Sequence, residues 1–183
     1  MITINDTKHA RLDVVLYEEG LLAHVQSTVD LDNGSIGVLG DFVAGEREIK
    51  VLEKATATST KANLVLVSAP ELIYDQTRQA QNQFKNFYNE KGVATRAYQL
   101  SKVKRFKISE EGLDVSGLTG AIDLSTTDYY IIPTASHKMA VATASTNAIG
   151  KIQRVDTEGI PSYVDVTGKF VANTYPMYVV EVL

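Results

Sequence analysis

Asp32-Asn-Gly-Ser-Ile-Gly-Val-Leu-Gly-Asp-Phe-Val-Ala-Gly-Glu-Arg-Glu48 is the stretch that decides the fold class. Asn33-Gly34 predicts a tight turn, because both residues tolerate positive φ. Ile36, Val38 and Leu39 read as a short strand, and Gly40 and Gly45 bracket a second turn. From Glu46 the chain alternates, with Arg47, Ile49 and Val51 on one side and Glu46, Glu48 and Lys50 on the other. This is the local pattern of a small antiparallel sheet. Gly34, Gly37 and Gly40 give G-x-x-G-x-x-G, which is neither a dinucleotide fingerprint nor a phosphate loop; they read as turn and bulge positions.

The same grammar continues in both directions. Asn63–Val67, NLVLV, has no polar alternation and predicts a strand covered on both faces. Ala94–Leu100, Val103–Ile108, Tyr129–Ile132 (stopped by Pro133), Met139–Ala144, Ile149–Val155 and Tyr175–Val182 are further strands. Lys54–Ala62 reads as an exposed polar loop, and Gly112, Gly117 and Gly120 break Leu113–Leu124 into turns. One helix is expected near residues 70–91. Ser68 and Glu71 have capping-box spacing with Pro70 in the first turn, Phe84, Phe87 and Tyr88 follow at helical spacing, and Gly92 is a stop. Strands of this length and spacing predict a mainly β chain: a small antiparallel barrel or sandwich with one helix, α+β being the minor alternative. Residues 1–30 read as an N-terminal arm or a first element, and 31–183 as the β-rich body. In the first segment Leu12, Val15 and Leu16 suit a helix, whereas Val14, Val15 and Tyr17 suit a strand.

Composition narrows the class. The chain has 183 residues, 44% hydrophobic and 22% charged, enough for a core without staples. It has no cysteine, so a disulfide framework and a thiolate metal site are excluded. No apolar run approaches the roughly 20 residues of a membrane span. MITINDTKHARLD lacks the basic start and apolar core of a signal peptide. The net charge is −4, yet between Arg78 and Lys107 eight basic residues stand against Glu90 alone. That basic segment suits an acidic partner surface or nucleic acid, or else a solvated face with paired charges.

The sequence holds no recognisable reactive constellation. His9, His24 and His137 lie far apart, without accompanying carboxylate clusters, so no metal site is expected. No G-x-S-x-G occurs, and Ser136-His137 is an adjacent pair that diverges in an extended segment. Glu18-Glu19 and Glu110-Glu111 are adjacent carboxylates that need not share a site, and the absence of tryptophan argues against a sugar platform. Phe84, Phe87 and Tyr88 interleave with Lys85 and Lys91, where a helix core explains them better than base stacking. Neither catalytic residues nor cofactors are expected.

In the order of its segments the chain resembles the small accessory head proteins encoded beside the major capsid protein of tailed bacteriophages. The segments are DNGSIGVLGDFVAGERE, NLVLVSAPELIYD, FYNEKGVATRAYQL, then a glycine-punctuated tail with AIGKIQRVDTEG and YVVEVL, together covering residues 30–183. The resemblance implies a non-enzymatic virion protein, made in the bacterial host cytoplasm, that decorates or cements the capsid surface or forms the base of a head fibre. The implied partners are the major capsid protein and further copies of the chain itself; a membrane and nucleic acid are not expected. On that reading Arg96, Lys102, Lys104, Arg105 and Lys107 face acidic capsid surface, and Leu12, Val15 and Leu16 belong to a reaching arm. The rivals are a shell subunit or connector, a nucleic-acid-binding β-barrel using Lys102–Lys107, and an enzyme with a dispersed site.

Overall fold

A computed structural model describes residues 9–18, 22–71, 86–164 and 170–183. The chain is mainly β, with twelve strands among the described residues: β1 Leu12–Tyr17, β2 Leu22–Gln26, β3 Ile36–Phe42, β4 Ile49–Glu53, β5 Leu64–Val67, β6 Thr95–Gln99, β7 Val103–Ser109, β8 Leu113–Asp114, β9 Tyr130–Pro133, β10 Met139–Ala142, β11 Gly150–Val164 and β12 Phe170–Val182. They form two sheets. One is a closed five-stranded barrel in the order β2-β4-β3-β5-β6; the other is a seven-stranded sheet in the order β1-β7-β12-β11-β9-β10-β8. Most pairs are antiparallel, but β2 with β4 and β8 with β10 run parallel. The chain passes between the sheets twice, from β1 to β2 and from β6 to β7. The second passage uses the 3-10 turn Leu100–Lys102.

β5 explains why two sheets make one packed object. All four residues of its LVLV run are buried. Leu64 and Leu66 join the principal core with Phe106, Ile108, Ile131, Met139 and Val180 of the larger sheet. Val65 and Val67 point the other way, into the barrel, with Val25, Leu31, Leu52 and Ala97. Strand alternation therefore serves two cores from one strand, which is why no polar residue interrupts it.

The opening motif does more than make a hairpin. Ser35 N–H donates to Asp32 O (3.2 Å) and Gly34 takes φ +90, so the Asn-Gly pair is a tight turn. That turn leads into β3 without joining two paired strands; β3 pairs instead with β4 and β5. Asn33 is fully buried beneath it. Its Nδ2 donates to Ala69 O (3.0 Å), and its Oδ1 accepts from Ala69 N–H (3.0 Å) and Asn89 Nδ2 (3.1 Å). Asn89 also pairs with Leu31 through both backbone groups, at 2.9 and 2.7 Å. Gly40 lies within β3, at a register shift, and not in a turn; the turn is Val43–Glu46, with Gly45 at φ +84. At Gly37 a Cβ would stand 2.5 Å from Glu53 O, so glycine lets the β4 backbone close against β3.

Residues 1–30 contribute integral strands where they are described. β1 pairs with β7 from Leu12↔Ile108 to Tyr17↔Val103, and β2 sits in the barrel between β4 and β6. Of the two readings of residues 1–30, an arm or a first element of the domain, residues 12–17 and 22–26 are strands, one in each sheet. Most of the expected helix, 72–85, lies outside the described residues. Its flanks are not α-helical. Ser68 N–H donates to Arg96 O (3.0 Å), and Glu71 Oε2 accepts from Arg11 Nε (3.3 Å), so the capping-box pair is engaged elsewhere. Gly92 occupies a turn at φ +75.

The last two strands are longer than their apolar cores suggested. β11 and β12 form one hairpin paired from Gly150↔Val182 to Val164↔Phe170. At its base Tyr178 is buried, and its hydroxyl donates to Glu110 Oε2 (3.2 Å). Burial first, then the Glu110 charge, pushes the phenol up to about 12. A raised folded-state value favours the protonated native state below pH about 10, the unfolded value, and that contribution is lost as pH rises toward about 12. Between pH about 9.5 and 12, wild type is expected to lose on the order of 2 kcal/mol more stability than Tyr178→Phe. Urea midpoints at both pH values measure this; parallel losses would contradict it.

Candidate interaction surface

Among the described residues no group of His, Asp and Glu could hold a metal ion. The three histidines are engaged separately or far apart. His9 Nδ1 meets Asp32 Oδ1 at 2.7 Å and its ring lies 5.0 Å from that of Tyr88. His137 Nδ1 donates to Ile36 O (3.0 Å) while Ser136 Oγ bonds within the turn to Thr134 Oγ1 (2.8 Å), so Ser136 and His137 do not act on each other. What remains as a site is a surface.

That surface is built on β1, an edge strand. Two register shifts, between Val14 and Leu16 and between Leu16 and Tyr17, break the alternation. A bulge leaves a residue unpaired and disrupts the ladder locally. Beside these shifts Val15, Leu16 and Tyr17 are all exposed, at 47%, 50% and 50%. Leu12 and Val14, before the shifts, pack against the principal core. The sequence grouped Leu12 with Val15 and Leu16; the structure separates it from them. The Tyr17 ring lies 5.3 Å from that of Tyr98 on β6, and the Arg96 guanidinium lies 5.5 Å above Tyr98. The apolar edge therefore continues onto the barrel and ends at a cation.

The basic segment does not form one continuous face. Lys104 Nζ is 2.8 Å and Lys102 Nζ 3.7 Å from the carboxylate of Glu18, just after β1, and both lysines keep exposed heads. The hydrogen bond from Lys104, then its charge, holds the Glu18 carboxyl below its usual value. Lys107 is turned to the base of the long hairpin, 2.9 Å from Asp156 and 3.3 Å from Glu158. Those two hydrogen bonds, Asp156 first, raise its pKa and keep it charged. Arg105 lies in register between Leu16 and Glu181, and its buried Nε makes no hydrogen bond among the described residues. Arg96 Nε donates to Ser68 O (3.0 Å). Of the five cations read as partner-facing, Lys107 is thus spent on an internal ion pair, while Lys102 and Lys104 flank the exposed triplet beside β1.

Tyr17, Tyr98 and Glu18 belong to this surface and were not among the residues read from sequence as partner-facing. Tyr17 was legible as the neighbour of Leu16. Tyr98 was not, because it arrives from a strand 81 positions away in the other sheet. Compared with known proteins, the chain matches no family model, no curated protein and no solved structure.

Proposed function

We propose that the protein is a non-enzymatic structural component of a tailed-phage virion, docked on the outside of the capsid and stabilising or decorating it. The observation that carries the reading is the exposed Val15-Leu16-Tyr17 triplet on a bulged edge, flanked by Lys102 and Lys104. Apolar anchors with a charged rim are what a protein-binding patch requires. The segment order resembling accessory head proteins supplies the partner, the major capsid protein. A protein that binds only the assembled shell adds its binding free energy to the stability of that shell. The reading assigns no reaction and no cofactor.

Because β1 and β2 are structural, deleting the first 25 residues would remove a sheet edge and open the barrel; point substitutions are the cleaner test. Leu16→Asp with Tyr17→Ser is expected to weaken binding to purified heads by roughly 30-fold, the range of an interface anchor. Lys102→Glu with Lys104→Glu is expected to weaken it less and to flatten its salt dependence, as rim charges do. Head occupancy by cosedimentation at two salt concentrations measures both. Unchanged occupancy in the first pair would remove the patch from the docking surface. A salt-dependent gel shift with single-stranded DNA in place of head binding would favour the nucleic-acid-binding alternative.

A further inference from the structure

Asn33-Gly34 is the chain's one Asn-Gly pair. In such a pair the side-chain amide is readily attacked by the next backbone nitrogen, because glycine has no Cβ to shield that nitrogen or restrict its backbone. The fold requires both residues. Gly34 sits at φ +90, and a Cβ there would stand 2.5 Å from Ile108 Cδ1 in the core. Asn33 must donate as well as accept: Nδ2 donates to Ala69 O, while Oδ1 accepts from Ala69 N–H and Asn89 Nδ2. An amide does both, and a carboxylate cannot donate. The same contacts hold the reacting groups in check. Asn33 is 0% exposed and Gly34 is buried. Gly34 N–H donates to Val67 O (2.9 Å) and Val67 N–H to Ser35 O (2.8 Å), which clamps the turn onto the end of β5. To react, the Gly34 nitrogen must give up its proton and reach Asn33 Cγ. Here that proton is committed to Val67 O, and the amide cannot turn without leaving its three hydrogen bonds.

We propose that Asn33-Gly34 is a covalent modification site sealed by the native fold: it deamidates when the turn opens, and the product cannot close again. In the opened chain the Gly34 nitrogen, deprotonated by hydroxide, attacks Asn33 Cγ. The new N–Cγ bond closes a succinimide ring, the Cγ–Nδ2 bond breaks, and Nδ2 takes a proton from water and departs as ammonia. Water then adds to either ring carbonyl and cleaves its bond to nitrogen, leaving an aspartyl or isoaspartyl residue at position 33. Each conversion consumes a water and releases an ammonia, with no change of oxidation state. Neither product fits the site. The aspartyl form sets a carboxylate oxygen against Ala69 O and offers it no donor. The isoaspartyl form adds a methylene to the main chain, in a turn whose groups are registered against Val67 and Ala69. Unfolding therefore becomes one-way with time, and the lifetime of the fold depends on how often this turn opens.

The test uses the full chain alone, incubated at mildly alkaline pH with and without denaturing urea, with conversion at Asn33 followed by peptide mapping. Position 33 is expected to convert at least roughly a hundredfold faster in urea than in the native state. In urea it should also outpace Asn147, which is exposed in the native turn at φ 58 but precedes alanine. Asn89→Ala keeps the dipeptide and removes one partner of its amide, so native-state conversion is expected to rise roughly tenfold. Circular dichroism checks that this variant folds, and the urea comparison on wild type stands without it. After urea is removed, unmodified chains should regain native dichroism and the modified fraction should not. Equal rates with and without urea would mean that the fold does not seal the site. Modified chains that refold to wild-type stability would mean that the product fits. Either result overturns the proposal, as does a folded Asn89→Ala variant that converts no faster than wild type.

Discussion

Replacing Phe106 by alanine is expected to lower stability by about 3–5 kcal/mol, the usual cost of emptying a buried aromatic site. Phe106 is 1% exposed at the middle of β7. It pairs with Val14 on one side and Val180 on the other. Its core also holds Ile36, Leu64 and Leu66 from the barrel, so the cavity would open where the two sheets are joined. Domains are commonly stable by only about 5–15 kcal/mol, so the variant should have a much lower urea midpoint at an unchanged slope. A loss below about 1 kcal/mol would mean that the barrel and the sheet do not depend on a shared core.

The second large effect is expected at Asn33. Asn33→Ala removes three hydrogen bonds inside a buried site, leaving the Ala69 amide, the Ala69 carbonyl and one Asn89 donor without their partner. Each such group costs about 1–3 kcal/mol when stranded, and relaxation recovers part, so a loss of about 3 kcal/mol is expected. Asn33→Asp should do no better, because it sets a carboxylate oxygen against the Ala69 carbonyl. A double-mutant cycle with Asn89→Ala provides the check. The two sites share a bond at 3.1 Å, so their effects should fall short of additive. Simple additivity would mean that Asn33 and Asn89 do not act as one network.

Fold class was legible because strand grammar is local. The NLVLV run could be read as a strand buried on both faces, since an uninterrupted apolar run has no side for water. The limits of β11 and β12 were not legible. Residues such as Thr157, Glu158 and Asn173 belong to strands because they are paired across a hairpin, not because of their own patterning. The segment before Gln26 was ambiguous for a related reason. Its apolar residues fit either period, and only pairing with β7, β4 and β6 settles them as strands.

The surface was half legible. Val15, Leu16, Arg96, Lys102 and Lys104 could be named from apolar and basic clustering. Their grouping could not, because a β-bulge is a property of two strands in register. The charge of the basic segment was likewise visible, while its partners were not: Lys107 is matched by Asp156 and Glu158, some 50 positions away. By itself, then, the sequence determined a cysteine-free, mainly β chain with a glycine turn at Asn33-Gly34 and no close-spaced reactive motif. These are facts of composition and neighbour spacing. Only the tertiary structure decided that the strands divide into a barrel and a sheet with one shared core. It alone turned the first strand into an exposed apolar edge. Sheet order, register and edge exposure arise from contacts between residues far apart in the chain, and no local pattern encodes them.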